Sequence, residues 1–238
     1  REVFGAEARV QLILNEENLG FTLGNNRVLE RLLREDHRYV VLLNNDTAPE
    51  PGWLEALLRC AEAQDADMVS SKMVNYYERT RMDNAGHQLL NTLEVLPLGH
   101  DEPAADYQAP RENAGPCGGA ALYSVPMLRD LGLFDERFRN GYEDVELGLR
   151  GLLCGYRAVY APRAVVYHKV SRSVNKIRDY AYTLGIQRHI YYINLKLFPA
   201  PVPLACFPFF LFRLLAALGI NLLFLRTRFL KVQLSALY

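Results

Sequence analysis

Along the early part of the chain, short apolar runs alternate with longer stretches that carry helical spacing. Val10–Leu14, Tyr39–Leu43 and Met68–Ser70 read as strands. The middle run has no polar interruption, the pattern of a strand buried on both faces. Between them, Thr22–Glu35 sets Leu23, Val28, Leu29, Leu32 and Leu33 along one stripe, and Pro51–Ala63 does the same with Leu54, Leu57 and Leu58. Strand, helix, strand, helix, strand predicts a parallel sheet in an α/β fold. Ligands of such sheets bind beyond the carboxyl ends of the strands. That directs attention to Asn15–Gly20 and Asn44–Thr47.

Residues 75–115 are rich in Asn, Asp, Glu, Pro and Gly and lose periodicity, which predicts loops and short strands where specificity can reside. Order returns at Gly118–Tyr123, then at a helix beginning at Ser124 with Pro126 in its first turn. A helix over Glu143–Leu153, with Val145, Leu149 and Leu152 as its core stripe, stops near Gly155 and leads to a strand at Ala164–Tyr167. Beyond Ser171 the pattern changes. Tyrosines are scattered among Arg and Lys, Pro199, Pro201 and Pro203 break the chain, and apolar runs follow at Phe207 to Phe212 and Leu214 to Leu225.

The 238 residues have no net charge, but the charge is divided. Residues 1–171 hold 18 Lys+Arg against 26 Asp+Glu, a net −8; residues 172–238 hold 9 against one, a net +8. Positive charge that coincides with apolar runs fits anionic lipid and argues against nucleic acid. Half of the residues are hydrophobic, which excludes a disordered chain. Four separated cysteines without a Cys-x-x-Cys pair fit a reducing compartment. The chain opens without Met or a leader, as the interior of a longer protein would.

Several segments carry candidate chemistry, each beside a plainer reading. Asn44-Asn45-Asp46-Thr47 follows a strand and offers oxygen ligands to a hard cation, but the same residues make turns for backbone reasons. Asn18-Leu19-Gly20-Phe21 with Gly24-Asn25-Asn26 opens a helix, where free N–H groups suit a diphosphate or simply a cap. Glu143 and Asp144 open another helix. They complement its dipole, and a carboxylate there also suits a general base. Asp144, Gly148 and Gly151 share a face without bulky side chains, an expected approach for substrate. His168 ends a strand and is either structural or a ligand. The glycines of Cys117-Gly118-Gly119 let backbone N–H groups come close to a ligand.

In order, Asn18–Phe21 with Gly24–Asn26, Leu42–Thr47, Pro51–Leu54, Gly118–Tyr123, Gly132–Asp135, Tyr142–Leu147 and Val165–His168 resemble the inverting family 2 glycosyltransferases, especially the rhamnosyltransferase-like branch of bacterial surface polysaccharide synthesis. The resemblance spans about residues 9–171. It implies a GT-A fold, a Rossmann-like α/β sandwich with a mostly parallel sheet, which binds a nucleoside-diphosphate sugar and usually Mg²⁺ or Mn²⁺. Asn44-Asn45-Asp46 stands in the place of the family's Asp-x-Asp motif, with Asp46 facing the metal and one charge fewer at Asn44. Asp144 matches the family's base, with Glu143 beside it, and His168 a position on metal or diphosphate. Asn18, Gly20, Asn25, Asn26, Gly118 and Gly119 fall in its donor-binding segments. The family opens with a βα unit that nothing before Val10 supplies, so a central strand is expected to be missing and its neighbours left open to another copy of the chain.

That resemblance implies transfer of a sugar, rhamnose in that branch, to a hydroxyl of a glycan or lipid-linked acceptor with inversion. The expected division is a transferase domain over 1–171 and a helical tail over 172–238. The tail would lie on the cytoplasmic face of the bacterial inner membrane, peripheral or partly inserted, through residues 199–238. Leu204–Leu225 has the length of a span, but Arg213 interrupts it, favouring an interfacial helix with Arg226, Arg228 and Lys231 on headgroups. Two alternatives stand beside this: a noncatalytic membrane-associated assembly protein of the same fold, and a sugar-nucleotide pyrophosphorylase, whose Gly-rich, basic opening loop is not visible.

Overall fold

A computed structural model describes residues 10–138, 141–169 and 180–223. The elements run α1 (Gly20–Leu32), β1 (Tyr39–Leu43), β2 (Thr47–Pro49), α2 (Trp53–Gln64), β3 (Met68–Asn75), β4 (Met82–Asn84), β5 (His87–Leu89), β6 (Val95–Pro97), β7 (Arg111–Glu112), β8 (Ala120–Ser124), α3 (Val125–Leu131), α4 (Glu143–Leu153), β9 (Ala158–His168), α5 (Tyr180–Leu197) and α6 (Pro201–Leu223). The fold is a mixed α/β, GT-A-like sandwich. Its main sheet has the order β1-β8-β3-β9-β2, with β4 and β7 at the flanks. β1, β3 and β9 share one direction, and β8 runs against both of its neighbours.

Period-two alternation sorts the strand side chains into two layers. Val40, Leu42, Met68, Ala121 and Tyr123 face a core shared with Leu29 of α1, Leu128 of α3 and Leu147 of α4. Val69, Met73, Ala120, Leu122, Val159 and Val166 face Trp53, Leu57 and Ala61 of α2. The indole N–H of Trp53 donates to Ser71 Oγ (2.9 Å), which satisfies a polar group that α2 would otherwise bury. Ser124 accepts from Met127 N–H as the N-cap of α3, with Pro126 in the first turn as its sequence requires.

Three expectations are corrected. Val10–Leu14 forms no strand, and its apolar residues lie exposed, unpaired with the sheet even though β1 presents an open edge. Among the described residues β1 is an edge strand that pairs with β8 alone, and its faces alternate between buried and partly open instead of both being covered. The strand at Ala164–Tyr167 begins at Ala158 and bulges opposite Ser71 and Lys72, where Pro162 has no N–H for a ladder. α5 packs on α4 through Ile193 with Phe138, Val145 and Leu149. The boundary expected after Ser171, and Arg226, Arg228 and Lys231, lie outside the described residues.

Candidate functional site

Four segments converge at the carboxyl ends of β1 and β9. Asn44 leaves β1 with its N–H donating to the Gly119 carbonyl (2.9 Å). One residue away, Gly118 N–H donates to Asp144 Oδ2 (2.8 Å), so the Cys117–Gly119 loop ties the end of β1 to the start of α4. Gly118 lets this loop pack closely: a Cβ there would lie 2.9 Å from the tip of the Phe21 ring, which would have to shift, and 3.5 Å from Asp144 Cβ. Tyr142, immediately before the acidic pair, takes a left-handed φ of 74°, which turns the chain into α4 with Glu143 and Asp144 in its first turn. Such backbone is costly for a bulky residue and concentrates at functional sites.

The two carboxylates at this helix start differ. Glu143 is buried, its Oε2 has no partner, and burial followed by the negative charge of Asp144 pushes its acid up to about 8. The proton of the pair therefore rests on Glu143 at neutral pH. Behind them stands His87, fully buried, with Nε2 3.9 Å from Asp144 Oδ2 and Nδ1 unpartnered. Burial lowers its basicity against the pull of Asp144.

On the other side of the cleft, His168 ends β9 and bonds through Nδ1 to Asp83 Oδ2 of β4 (2.8 Å), while its Nε2 lies 3.5 Å from Asp46 Oδ2. Burial lowers the affinity of His168 for a proton, but Asp83 and Asp46 outweigh it and raise the net value. Asp46 Oδ1 is buried without a partner, an open oxygen beside a basic ring. Among the described residues no group of three or more His, Cys, Asp and Glu is placed to hold a metal ion by itself.

Asp46, His168, Asn44, Gly118, Gly119, Glu143 and Asp144 thus come together. The α1 residues do not all join them. Asn26 is buried and uses both ends of its amide on the Phe134 backbone, which ties α1 to the loop before α4, and the half-buried Asn25 donates to Phe21 O within α1. Asn18 Oδ1 accepts from Gly20 N–H at the helix start. The face of Gly148 and Gly151 is filled: Gly148 lies against Ala114 and Gly115, and Gly151 against Met68, so it offers no approach to substrate. Sequence reasoning missed Asp83 and His87, which lie in the loop-rich 75–115 segment. The run Asn84-Ala85-Gly86-His87, with Gly86 at a φ of 101°, was the available signal of a constrained backbone.

Acidic side chains thus gather at the strand ends of a GT-A-like sheet. The chain belongs to the glycosyltransferase like family 2, whose profile matches residues 2–180. It is 28% identical over 165 residues to the pre-mycofactocin glycosyltransferases of two Mycobacterium tuberculosis strains, CDC 1551 and H37Rv, covering 69% of this chain. It spans about a third of the length of those relatives (33%). The crystal structure of GalNAc-T7 with UDP, GalNAc and Mn²⁺ shares the fold at a TM-score of 0.54 and 11% identity, over 76% of this chain and 35% of that one.

Proposed function

We propose that the protein transfers a sugar from a nucleoside-diphosphate sugar to an acceptor hydroxyl with inversion, Asp144 acting as the general base. The observation that carries this reading is the hydrogen bond from Gly118 N–H to Asp144, because the same loop bonds Asn44 and so fixes the base relative to the Asn44–Asp46 turn. Asp144 Oδ1 is turned back to the Val145 N–H. Acceptor binding would bring the hydroxyl to this carboxylate, which takes its proton as the oxygen attacks the anomeric carbon opposite the diphosphate. Neutral Glu143 adds no second negative charge beside the base. A general base contributes about 10²–10⁴-fold in rate.

The residues at Asp46 fit a divalent ion. Asp46 Oδ1 is free, His168 Nε2 is near, and diphosphate and water would complete the shell, as Mg²⁺ and Mn²⁺ sites commonly allow. Bound there, Mg²⁺ or Mn²⁺ would stabilise charge on the leaving diphosphate. Beside the ion His168 would be neutral, its Nδ1–H donating to Asp83 and its Nε2 lone pair left for the metal. Gly118 and Gly119 present backbone to the donor. The donor sugar we assign is rhamnose and the acceptor a lipid-linked glycan, at the cytoplasmic face of a bacterial inner membrane. Resemblance to the rhamnosyltransferase-like branch supports the first, and the apolar α6 the second. By length and composition, Pro201–Ile220 is apolar enough to cross a membrane.

The test is Asp144→Asn, measured for donor binding by calorimetry and for transfer by product formation. Transfer should fall by at least about 10² while donor affinity stays within a few-fold. Parallel loss of both would overturn the assignment of the base.

A further inference from the structure

The β5–β6 hairpin connects two parts of the molecule that no catalytic role has yet linked. At one end His87 stands beside Asp144. At the other, Glu94 forms an ion pair with Arg213, midway along α6. Between the hairpin tip and α6 lies a groove of about 410 Å³, with Leu90, Thr92, Phe209, Phe212, Ala216 and Ile220 among its walls. We infer that this groove takes the apolar chain of a lipid-linked acceptor at a membrane surface, with the hairpin guiding the headgroup toward Asp144. The inference rests on the transferase reading above and adds to it a substrate chain and a place for it.

A lipid environment is favoured over a protein partner by the distribution of apolar residues. Leu204, Phe207 and Leu211 are exposed on one flank of α6, and Phe209, Phe212, Ile220 and Leu223 elsewhere around it. A helix that docks on protein buries its apolar stripe, whereas these rings and leucines stay exposed and suit hydrocarbon, with Arg213 marking the side turned to the headgroups. The Arg213–Glu94 pair fixes the depth. A transmembrane α6 would carry its midpoint, and with it both charges and the hairpin tip, to the centre of the bilayer, where ionised side chains are expensive. An α6 lying along the surface keeps the pair near headgroups and lets the groove open to the acyl region. From Leu90 back to His87 is three residues of extended chain, about 10 Å, a length that a phosphorylated glycan headgroup lying over the exposed Gln88 and Leu89 can span, with His87 buried beneath it.

The full chain, mixed with phosphatidylcholine–phosphatidylglycerol vesicles containing a polyprenyl phosphate with a benzophenone on its chain, should be labelled on both α6 and Leu90–Thr92. Ala216→Trp fills the groove from the helix side and Leu90→Glu places a charge in it from the hairpin side. Each should cut hairpin labelling about ten-fold with the variant still folded by its thermal transition. Labelling confined to α6 would mean contact with bulk bilayer only and overturn the inference. So would labelling unchanged in both variants, or a lipid-free dimer in which α6 is shielded from label. Transfer is measured separately with a soluble, chainless glycan. Failure there with intact hairpin labelling would overturn the transferase reading alone, whereas transfer without hairpin labelling would overturn the groove.

Discussion

Glu146 provides the most demanding test of how α4 is held. Its carboxylate is wholly buried and accepts from Arg150 Nε (2.9 Å), Arg150 Nη2 (2.9 Å) and Lys196 Nζ (2.8 Å). Arg150 also donates to the carbonyls of Leu131 (2.6 Å) and Leu133 (2.7 Å), so one arginine joins α4 to the turn after α3. Lys196 joins it to α5 and keeps a second partner, Asp135 (2.7 Å). Glu146→Leu removes the shared anion and strands a guanidinium that is only 16% exposed. Breaking a buried pair from one side costs about 3–5 kcal/mol. At about 2–4 °C per kcal/mol for a chain of this size, the melting temperature should fall by about 6–20 °C in calorimetry. Glu146→Leu combined with Arg150→Leu should recover part of that loss, because the uncompensated charge is gone. A single variant within about 1 kcal/mol of the parent, or a double variant no better than the single, would refute the argument.

Three further outcomes are expected. Gly148→Ala should cost about 1–3 kcal/mol in denaturant unfolding, since its Cβ would lie 2.5 Å from Ala114 O and 2.9 Å from Gly115 Cα, both backbone; an unshifted midpoint would refute the packing. The acid of Glu143 is raised from 4.5 to about 8, so the native state binds more protons than the unfolded chain between those values. Stability should therefore fall as pH rises through that window, at up to about 1.4 kcal/mol per pH unit, and Glu143→Gln should flatten the profile; identical profiles would exclude the buried acid as its source. Asp46→Ala should raise the Mn²⁺ concentration needed for half-maximal transfer about ten-fold or more, and parent-level activity in chelator would contradict a metal-assisted departure.

Where the fold depends on local pattern, the sequence announces it. Tyr39–Leu43 and Glu143–Leu153 occur with the bounds that their periodicity gives, and Ser124 with Pro126 marks the start of α3. Strand order is another matter, because the insertion of β8 between β1 and β3 depends on partners far away in sequence. Val10–Leu14 shows the same limit, since an apolar run becomes a strand only where it is placed in register beside an edge, which its own pattern does not decide. In the cleft, Asp46, Asp144 and His168 were legible from their positions at strand and helix ends. Asp83 and His87 were not, because a loop-rich segment has no period against which an unusual residue stands out. Gly148 and Gly151 misled in the opposite direction: small residues on a helix face look like open space until the segment that fills it is known.

The lone pairing of β1 with β8 also sets a schedule for synthesis. Leu43 pairs with Ala120, so the strand that carries the Asn44–Asp46 turn leaves the ribosome long before its partner is made. At about 5–20 residues per second, the intervening chain takes about 4–15 s to translate. During that interval the side of β1 that β8 will cover stays open, and the nascent chain offers Val40, Val41 and Leu42 there to chaperones or to neighbouring copies. The arrival of β8 closes that side, and the Cys117–Gly119 loop that precedes it emerges at nearly the same moment.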